Sequence, residues 1–192
     1  MAHGTRETEI KLAVADVRTA RKFLRAAGFR VVKRRVFEVN TVYDTIERVL
    51  RNSVTLLRVR WAGSVGTLTY KGPPIFTKYK SREELEVEIP DARMMGAILE
   101  RLGFHPVFRY EKYRTELRQP GSGGIATIDE TPIGAYVELE GAPAWIDRTA
   151  RRLGFAESDH INSSYSRLYL EWCGRHGIPP SNMVFGGASK QT

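Results

Sequence analysis

The sequence predicts an α+β protein: an eight-stranded antiparallel β-barrel, closed on itself, with helices packed outside. Three observations predict it. Eight strand-like runs, at about 6–13, 30–44, 54–61, 66–71, 82–89, 107–117, 125–130 and 135–140, are mostly joined by short turns such as WAGSVG and QPGSGG. Most of these runs alternate, with apolar residues on one face and long ionic residues on the other. Three amphipathic helices are available to cover the apolar faces from outside, which turns the ionic faces inward. A barrel of eight strands encloses room for one small ligand.

The first strand, ETEIKL, sets Glu7, Glu9 and Lys11 against Thr8, Ile10 and Leu12. DVRTARKFLRAAGF follows, with Asp16 as helix N-cap and Gly28 as its stop. In TLLRVRW, Arg58 and Arg60 share a face opposite Leu57, Val59 and Trp61. TLTYK sets Lys71 with Thr67 and Thr69, and GPPIFTKYKS is the longest loop. REELEVEI sets Arg82, Glu84, Glu86 and Glu88 against Leu85, Val87 and Ile89. DARMMGAILERLGF is the second helix, from Asp91 to Gly103. YEKYRTEL pairs Lys112 with Arg114, IATIDE contributes Asp129, and YVELE contributes Glu138 and Glu140. APAWIDRTARRLGF is the third helix, with Pro143 in its first turn and Gly154 at its end. Each of these helices ends in Gly-Phe, the pattern of a left-handed glycine cap followed by an apolar residue that packs back. A fourth helix is expected over Ser163–Gly174, and GGASKQT reads as a disordered tail. The expected division is a single domain over 1–175 and a C-terminal extension with a flexible tail over 176–192.

The 192 residues suit one domain, and 42% hydrophobic residues suffice for a core. With 30 Lys and Arg against 22 Asp and Glu, the formal charge of +8 suits a polyanionic partner. The one cysteine, Cys173, excludes an intramolecular disulfide and suits a reducing, cytoplasmic compartment. The N-terminal residues lack an apolar signal core, and no apolar run approaches the ~20 residues of a membrane helix. His3, His105, His160 and His176 lack zinc spacing, and there is no Gly-rich phosphate loop.

The ionic faces carry the chemistry. Acids come from the first, fifth, seventh and eighth strands, and bases mainly from the third, fourth and sixth. A lumen of bare charges is too costly; water, metal ions and an anionic ligand would complete its pairing. Clustered carboxylates suit Mg²⁺, and clustered Arg and Lys suit phosphate, so the set fits a metal–triphosphate complex. The alternative is a half-exposed sheet with cross-strand ion pairs. Recurrence over five or six strands favours the lumen. A nucleic-acid-binding barrel would keep its bases on an outer surface among aromatics, whereas here they share faces with acids.

ETEIK, followed in order by VYDT, LLRVR, LTYKGP, SREELEVEI, EKYR, TIDETPIGAYVELE and SSYSRLYL, resembles the CYTH superfamily of triphosphate tunnel metalloenzymes over about residues 5–170. The closest likeness is to the class IV adenylyl cyclase-like branch; thiamine triphosphatases and inorganic triphosphatases are relatives. The resemblance implies an eight-stranded tunnel and an enzyme using Mg²⁺ or Mn²⁺ on a triphosphate: ATP, thiamine triphosphate or tripolyphosphate. It implies Glu7, Glu9 and Glu140 around one metal ion, and Asp129, Glu138 and Glu86 at a second. It implies Lys11, Arg58, Arg60, Lys71, Lys112 and Arg114 around the triphosphate, with Arg82 either joining them or pairing with Glu84. Glu7, Glu9, Lys11, Arg58 and Arg60 are the expected catalytic set. Tyr43 and Asp44 fall in the YDT motif, where Asp44 suits a turn cap. Phe76, Tyr79 and Phe108 are candidates to stack on a purine, and no general base stands out. A non-catalytic polyphosphate- or nucleotide-binding module remains the alternative. Neutralising Glu7 or Glu9 is expected to raise the stability of the metal-free form by relieving like-charge repulsion. The tract after Leu170 is a candidate apolar clasp, lid or homodimer contact.

Overall fold

The structure, a computed structural model, describes residues 5–76 and 78–186; the side chains of Thr5 and Phe76, together with His3 and the tail beyond Gly186, lie outside that description. The described residues form nine strands: β1 (Thr5–Val14), β2 (Arg30–Asp44), β3 (Leu56–Ala62), β4 (Val65–Lys71), β5 (Ile75–Phe76), β6 (Lys80–Ile89), β7 (His105–Arg118), β8 (Ile125–Thr131) and β9 (Gly134–Glu140). The order β1-β9-β8-β7-β2-β3-β4-β6 is antiparallel throughout, and a β1–β6 pairing closes it into a barrel of eight strands; the two-residue β5 is appended to β6. Closure is staggered. Residues 80–84 of β6 pair with β1, whereas 84–89 pair with β4.

Closure leaves two stretches of strand edge uncovered, and the chain fills both. Lys11 exchanges backbone hydrogen bonds of 2.9 Å with Ile161 where β6 has turned away. Met183 bridges Tyr110 beyond the end of β8, with Glu111 N donating to Met183 O and Met183 N to Arg109 O. The segment around Met183, whose side chain is fully buried, is therefore a clasp on β7.

The helices are α1 (Val17–Ala26), α2 (Val49–Asn52), α3 (Ala92–Arg101), α4 (Pro143–Arg152) and α5 (Tyr165–His176). Asp16 accepts from Thr19 N, and Asp91 from Arg93 N and Met94 N, as their sequence positions suggested. Gly28, Gly103 and Gly154 all have φ of 85–88°. Each following Phe donates its amide back into the last helical turn: Phe29 to Leu24 O, Phe104 to Leu99 O, Phe155 to Ala150 O. The last helix differs from expectation. It runs past Gly174 to His176 and stops at Gly177, which takes the left-handed conformation at φ 64°. The short α2, β5 and a 3₁₀ turn at Glu157–Asp159 were not anticipated; each is too brief to show a period.

The apolar cores lie between barrel and helices. Ile10, Leu12, Ile128, Val137 and Leu139 pack under α1 and α4 with Leu24, Trp145 and Ile146. Val59, Ile89 and Tyr43 pack under α3 with Leu99. A Cβ on Gly96 would sit 2.6 Å from the Tyr43 hydroxyl, so this helical glycine admits the ring. Asp44 caps α2, its carboxylate accepting from Thr45 N, Leu50 N and Arg51 N. The YDT motif is therefore structural in this fold. A third, aromatic cluster of Tyr110, Tyr136, Tyr165 and Tyr169 packs with α5. No helix among the described residues is long and apolar enough to cross a membrane.

Candidate functional site

The strand register brings the ionic faces together. Glu9 stands opposite Glu140 on one side and Lys80 on the other, Lys11 opposite Glu138, and Glu7 opposite Arg82. Arg114 stands opposite Asp129, Lys112 opposite Glu38, and Arg60 opposite Asn40. Arg58 and Arg60 face Thr69 and Thr67 of β4. The resulting cavity is lined by eight cationic side chains, Lys11, Arg58, Arg60, Lys71, Lys80, Arg82, Lys112 and Arg114, and by three carboxylates, Glu7, Glu9 and Glu138. Val42, Leu56 and Phe108 add apolar surface, while Ser164, Tyr165 and Ser166 bring the start of α5 to it.

The charges are buried and paired. Lys71 Nζ donates to both Glu7 oxygens at 2.7 and 2.6 Å and lies 3.1 Å from Glu84. Glu9 Oε1 accepts from Lys11 at 3.0 Å and Lys80 at 3.1 Å. Asp129 accepts from Lys112 at 2.8 Å, from Arg114 and from the Tyr165 hydroxyl at 2.8 Å; Arg114 also grips Glu138. The Tyr165 ring lies within 5.4 Å of Lys11 Nζ and 5.2 Å of Lys112 Nζ. Arg58 donates to Tyr110 O at 3.2 Å and Thr69 at 3.1 Å.

Burial penalises a charge, and its balance with the neighbouring charges sets the direction of the pKa shift. For Glu9, burial is outweighed by Lys11, Lys80 and Lys71, which hold the carboxyl well below the usual range. Asp129 is likewise drawn down, to about 2, by Arg114 and Lys112. Glu140 goes the other way. It reaches solvent at the rim, but its enclosure by the barrel wall and the nearby Glu7 and Glu9 push it up to about 7. Burial, reinforced by Lys11 and Arg82, brings Lys80 down to about 8 despite Glu9.

Most of the expected residues share this lumen, but not all in the expected groupings. Arg82 lies 3.4 Å from Glu7 rather than pairing with Glu84. Glu86 is exposed and accepts from Thr69 near Arg58, away from Asp129 and Glu138. Among the described residues no three acidic, His or Cys side chains converge to hold a metal ion, because long lysine and arginine side chains from the same lumen already occupy the carboxylates. Tyr79 packs outside the barrel against the α1–α4 core. Phe108 does line the cavity, stacked 5.8 Å from Tyr110. Four participants were missed. Lys80 sat in an apparent loop, although it lies two residues before Arg82 and shares its phase. Glu38 and Asn40 share a phase within a strand whose alternation is poor. Tyr165 enters from a helix, where no strand pattern could show it.

A charged lumen inside a closed eight-stranded barrel can be compared with known proteins. The family model described as the CYTH domain matches residues 5–165. The chain belongs to the CYTH family. A Methanocaldococcus jannaschii protein named "putative adenylate cyclase" is 33% identical over 135 residues, covering 70% of this chain and 75% of that protein. Among solved structures, a Pyrococcus horikoshii protein superposes with a TM-score of 0.72 at 28% identity, covering 86% of this chain and 98% of its own. A Hippeastrum protein described as a "putative adenylyl cyclase" with a dominant triphosphatase activity superposes at 0.63 with 20% identity, covering 91% and 97%. CYTH membership implies an enzyme that acts on triphosphates with a divalent metal. The donors suit such an ion in kind: Glu9 and Glu140 face each other across β1 and β9, Glu7 lies two residues along, and all are hard oxygen ligands.

Proposed function

We propose that the protein is a divalent-metal-dependent enzyme that draws ATP into the barrel lumen and converts it to cyclic AMP and pyrophosphate, in the manner of class IV adenylyl cyclases. One observation carries the triphosphate reading: eight cationic side chains converge on one cavity, and although the wall sets other carboxylates such as Glu38, Glu84 and Asp129 beside them, only Glu7, Glu9 and Glu138 line it, so the lining carries an excess of cationic groups. A polyphosphate chain answers that excess, and a neutral ligand does not. The cyclase name of the M. jannaschii protein supports the finer reading.

Arg58 and Arg60 lie two apart on β3, so their guanidinium groups are spaced to hold neighbouring phosphoryl groups. Lys11, Lys71, Lys112 and Arg114 surround the rest of the chain, stabilising the charge that grows on phosphoryl oxygens as the bond to the leaving group breaks. Glu7, Glu9 and Glu140 would hold the metal, whether Mg²⁺ or Mn²⁺, which supplies further neutralisation of the phosphoryl oxygens. In cyclisation the ribose 3′-hydroxyl gives up its proton to solvent as its oxygen bonds to the α-phosphorus, and the bond from that phosphorus to pyrophosphate breaks; Phe108, which lines the cavity wall, offers an apolar surface for the base.

A second reading is hydrolysis of thiamine triphosphate, tripolyphosphate or a nucleoside triphosphate, with water attacking the terminal phosphorus. The lowered pKa of Lys80, about 8, favours it, because above that pH the deprotonated Nζ can take a proton from the attacking water. Incubation with each triphosphate and Mg²⁺ or Mn²⁺, followed by product identification, tests both. Cyclic AMP with pyrophosphate supports the cyclase, and diphosphate with phosphate the hydrolase. No turnover of any triphosphate would overturn both.

A further inference from the structure

Several polar hydrogens inside the barrel have nothing to bind. Asn40, on β2, is fully buried, and its Nδ2 has no hydrogen-bond acceptor among the described residues. The same holds for Arg58 Nε on β3. Tyr110, on β7, accepts from Arg58 Nη1 at 3.2 Å, and its own hydroxyl proton has no acceptor there either. These are neighbours: Asn40 and Tyr110 are direct cross-strand partners, and Arg58 lies on the strand that flanks β2 on its other side. Tyr110 and Arg58 both line the cavity.

The acceptors nearby are already engaged or out of reach. Asn40 Oδ1 takes Arg60 Nε at 3.1 Å. Glu38 Oε2 lies 3.7 Å from both Arg60 Nε and Lys112 Nζ, too far for a hydrogen bond. Buried donors are almost always satisfied in folded proteins, so a cluster of orphans asks for a missing acceptor. Charge narrows its nature. Arg58, Arg60 and Lys112 meet at this level; Asp129 engages Lys112 at 2.8 Å, but Glu38, Glu84 and Glu86 stay 3.7–3.9 Å from the two arginines, beyond hydrogen-bond reach, so an acceptor that is itself anionic suits the gap.

We propose that Asn40, Arg58 and Tyr110 form a donor site that takes the oxygens of one phosphoryl group of the substrate, making Asn40 and Tyr110 binding residues for the polyphosphate chain. This rests on the triphosphate reading above and adds two uncharged residues to it. A phosphoryl group brings several acceptor oxygens and negative charge together, which matches donors arriving from three strands. The charged surroundings of Tyr110 agree. Arg58 and Arg60 face it from β3 and Lys112 from its own strand, while Asn40 on β2, Tyr165 on α5 and Met183 of the clasp bring no charge. Burial raises the phenol pKa, but Arg58, Lys112 and Arg60 outweigh it and lower the pKa from its ordinary value. A bound anion would raise it again.

Calorimetric titration of the full chain with tripolyphosphate in Ca²⁺ tests the site, using Asn40→Asp and Tyr110→Phe. Asn40→Asp replaces the orphan donor by an acceptor, and Tyr110→Phe removes one hydroxyl while keeping the ring against Phe108. Each variant is expected to bind at least about tenfold more weakly than wild type, as for loss of a hydrogen bond to a charged group. Tyr110→Phe also takes the acceptor from Arg58 Nη1, so its unliganded melting temperature is expected to fall modestly; titrations run well below the melting temperature of each variant separate binding from folding. Wild-type affinity in Tyr110→Phe, or in a folded Asn40→Asp, would mean that water alone fills the site and would overturn the proposal. Weakened binding in the variants without turnover of any triphosphate by wild type would sink the enzymatic reading and leave the donor site standing. No binding of tripolyphosphate by wild type would sink both.

Discussion

Lys71 Nζ sits 2.7 and 2.6 Å from the two oxygens of Glu7, so a residue expected to grip phosphate holds a residue expected to grip metal. The same exchange recurs at Glu9 with Lys11 and Lys80, and at Asp129 with Lys112 and Arg114. Acids and bases within the lumen thus pair with one another. A metal–triphosphate complex would bind by swapping partners: cation to carboxylates, phosphates to lysines and arginines. Because both pairs exist in one place, the two halves of the ligand are expected to bind cooperatively.

This pairing reverses the expectation that neutralising Glu7 stabilises the metal-free protein. Lys71 and Arg82 already offset the repulsion from Glu9. Glu7→Gln should lower unliganded stability, by about 1–3 kcal/mol, because it strands a buried ammonium that keeps only Glu84. The double variant Glu7→Gln/Lys71→Met should recover most of the loss. Denaturant titration of the three proteins decides it; a Glu7→Gln protein more stable than wild type would return the site to unrelieved repulsion.

Glu140 sets a pH dependence. Its folded pKa of about 7 lies above the unfolded carboxylate value, so the folded state holds its proton over pH ~4.5–7 while the unfolded state has released it. Its contribution to stability is full below pH ~4.5 and is lost as pH rises through about 7. Metal binding needs the carboxylate and should strengthen across the same window. Mn²⁺ titrations at pH 6 and pH 8 should show tighter binding at pH 8, and Glu140→Gln should remove most of that gain. An equal gain in the variant would take Glu140 out of the metal site.

The arginine pair predicts chain-length selectivity. Arg58→Ala and Arg60→Ala should each cost roughly 1.5–3 kcal/mol of triphosphate affinity, with partial rescue by Lys. AMP, with one phosphate, should bind far more weakly than ATP. Titration in Ca²⁺ checks this, and equal affinities for AMP and ATP would return both arginines to structural ion pairing.

The clasp predicts a stability effect far from the lumen. Met183→Ala should cost about 2–5 kcal/mol, as expected for a fully buried side chain. A loss under 1 kcal/mol in thermal denaturation would mean that the clasp is not docked in solution.

The loop between β2 and β3 stores backbone strain. Val54, β-branched and exposed, has φ 58°. Val54→Gly should raise stability by about 1 kcal/mol, and a lower melting temperature would contradict the strained conformation.

The barrel was legible because its alternation is strict where it matters. Glu7-Thr8-Glu9-Ile10-Lys11 and Arg58-Val59-Arg60 announce which face is polar, and the register then places those residues in one lumen. The helix ends were legible because Gly-Phe is a local signal that needs no tertiary partner. What stayed hidden depends on contacts across the fold. Nothing near Lys80 in sequence shows that it meets Glu9, 71 residues away. Tyr165 reaches Asp129 only because α5 lies over the cavity. The pairing of Glu7 with Lys71 was hidden too, since alternation shows that two charges share a lumen and not that they touch.

The most direct test of the account is a crystal structure with a non-hydrolysable ATP analogue and Mg²⁺. The account predicts the polyphosphate chain inside the barrel, touching Arg58, Arg60 and Lys112, with Lys71 turned from Glu7 toward phosphate and Glu7 freed for the metal. Phosphates bound on the outer face, with the Lys71–Glu7 pair intact and the lumen holding only water, would contradict it.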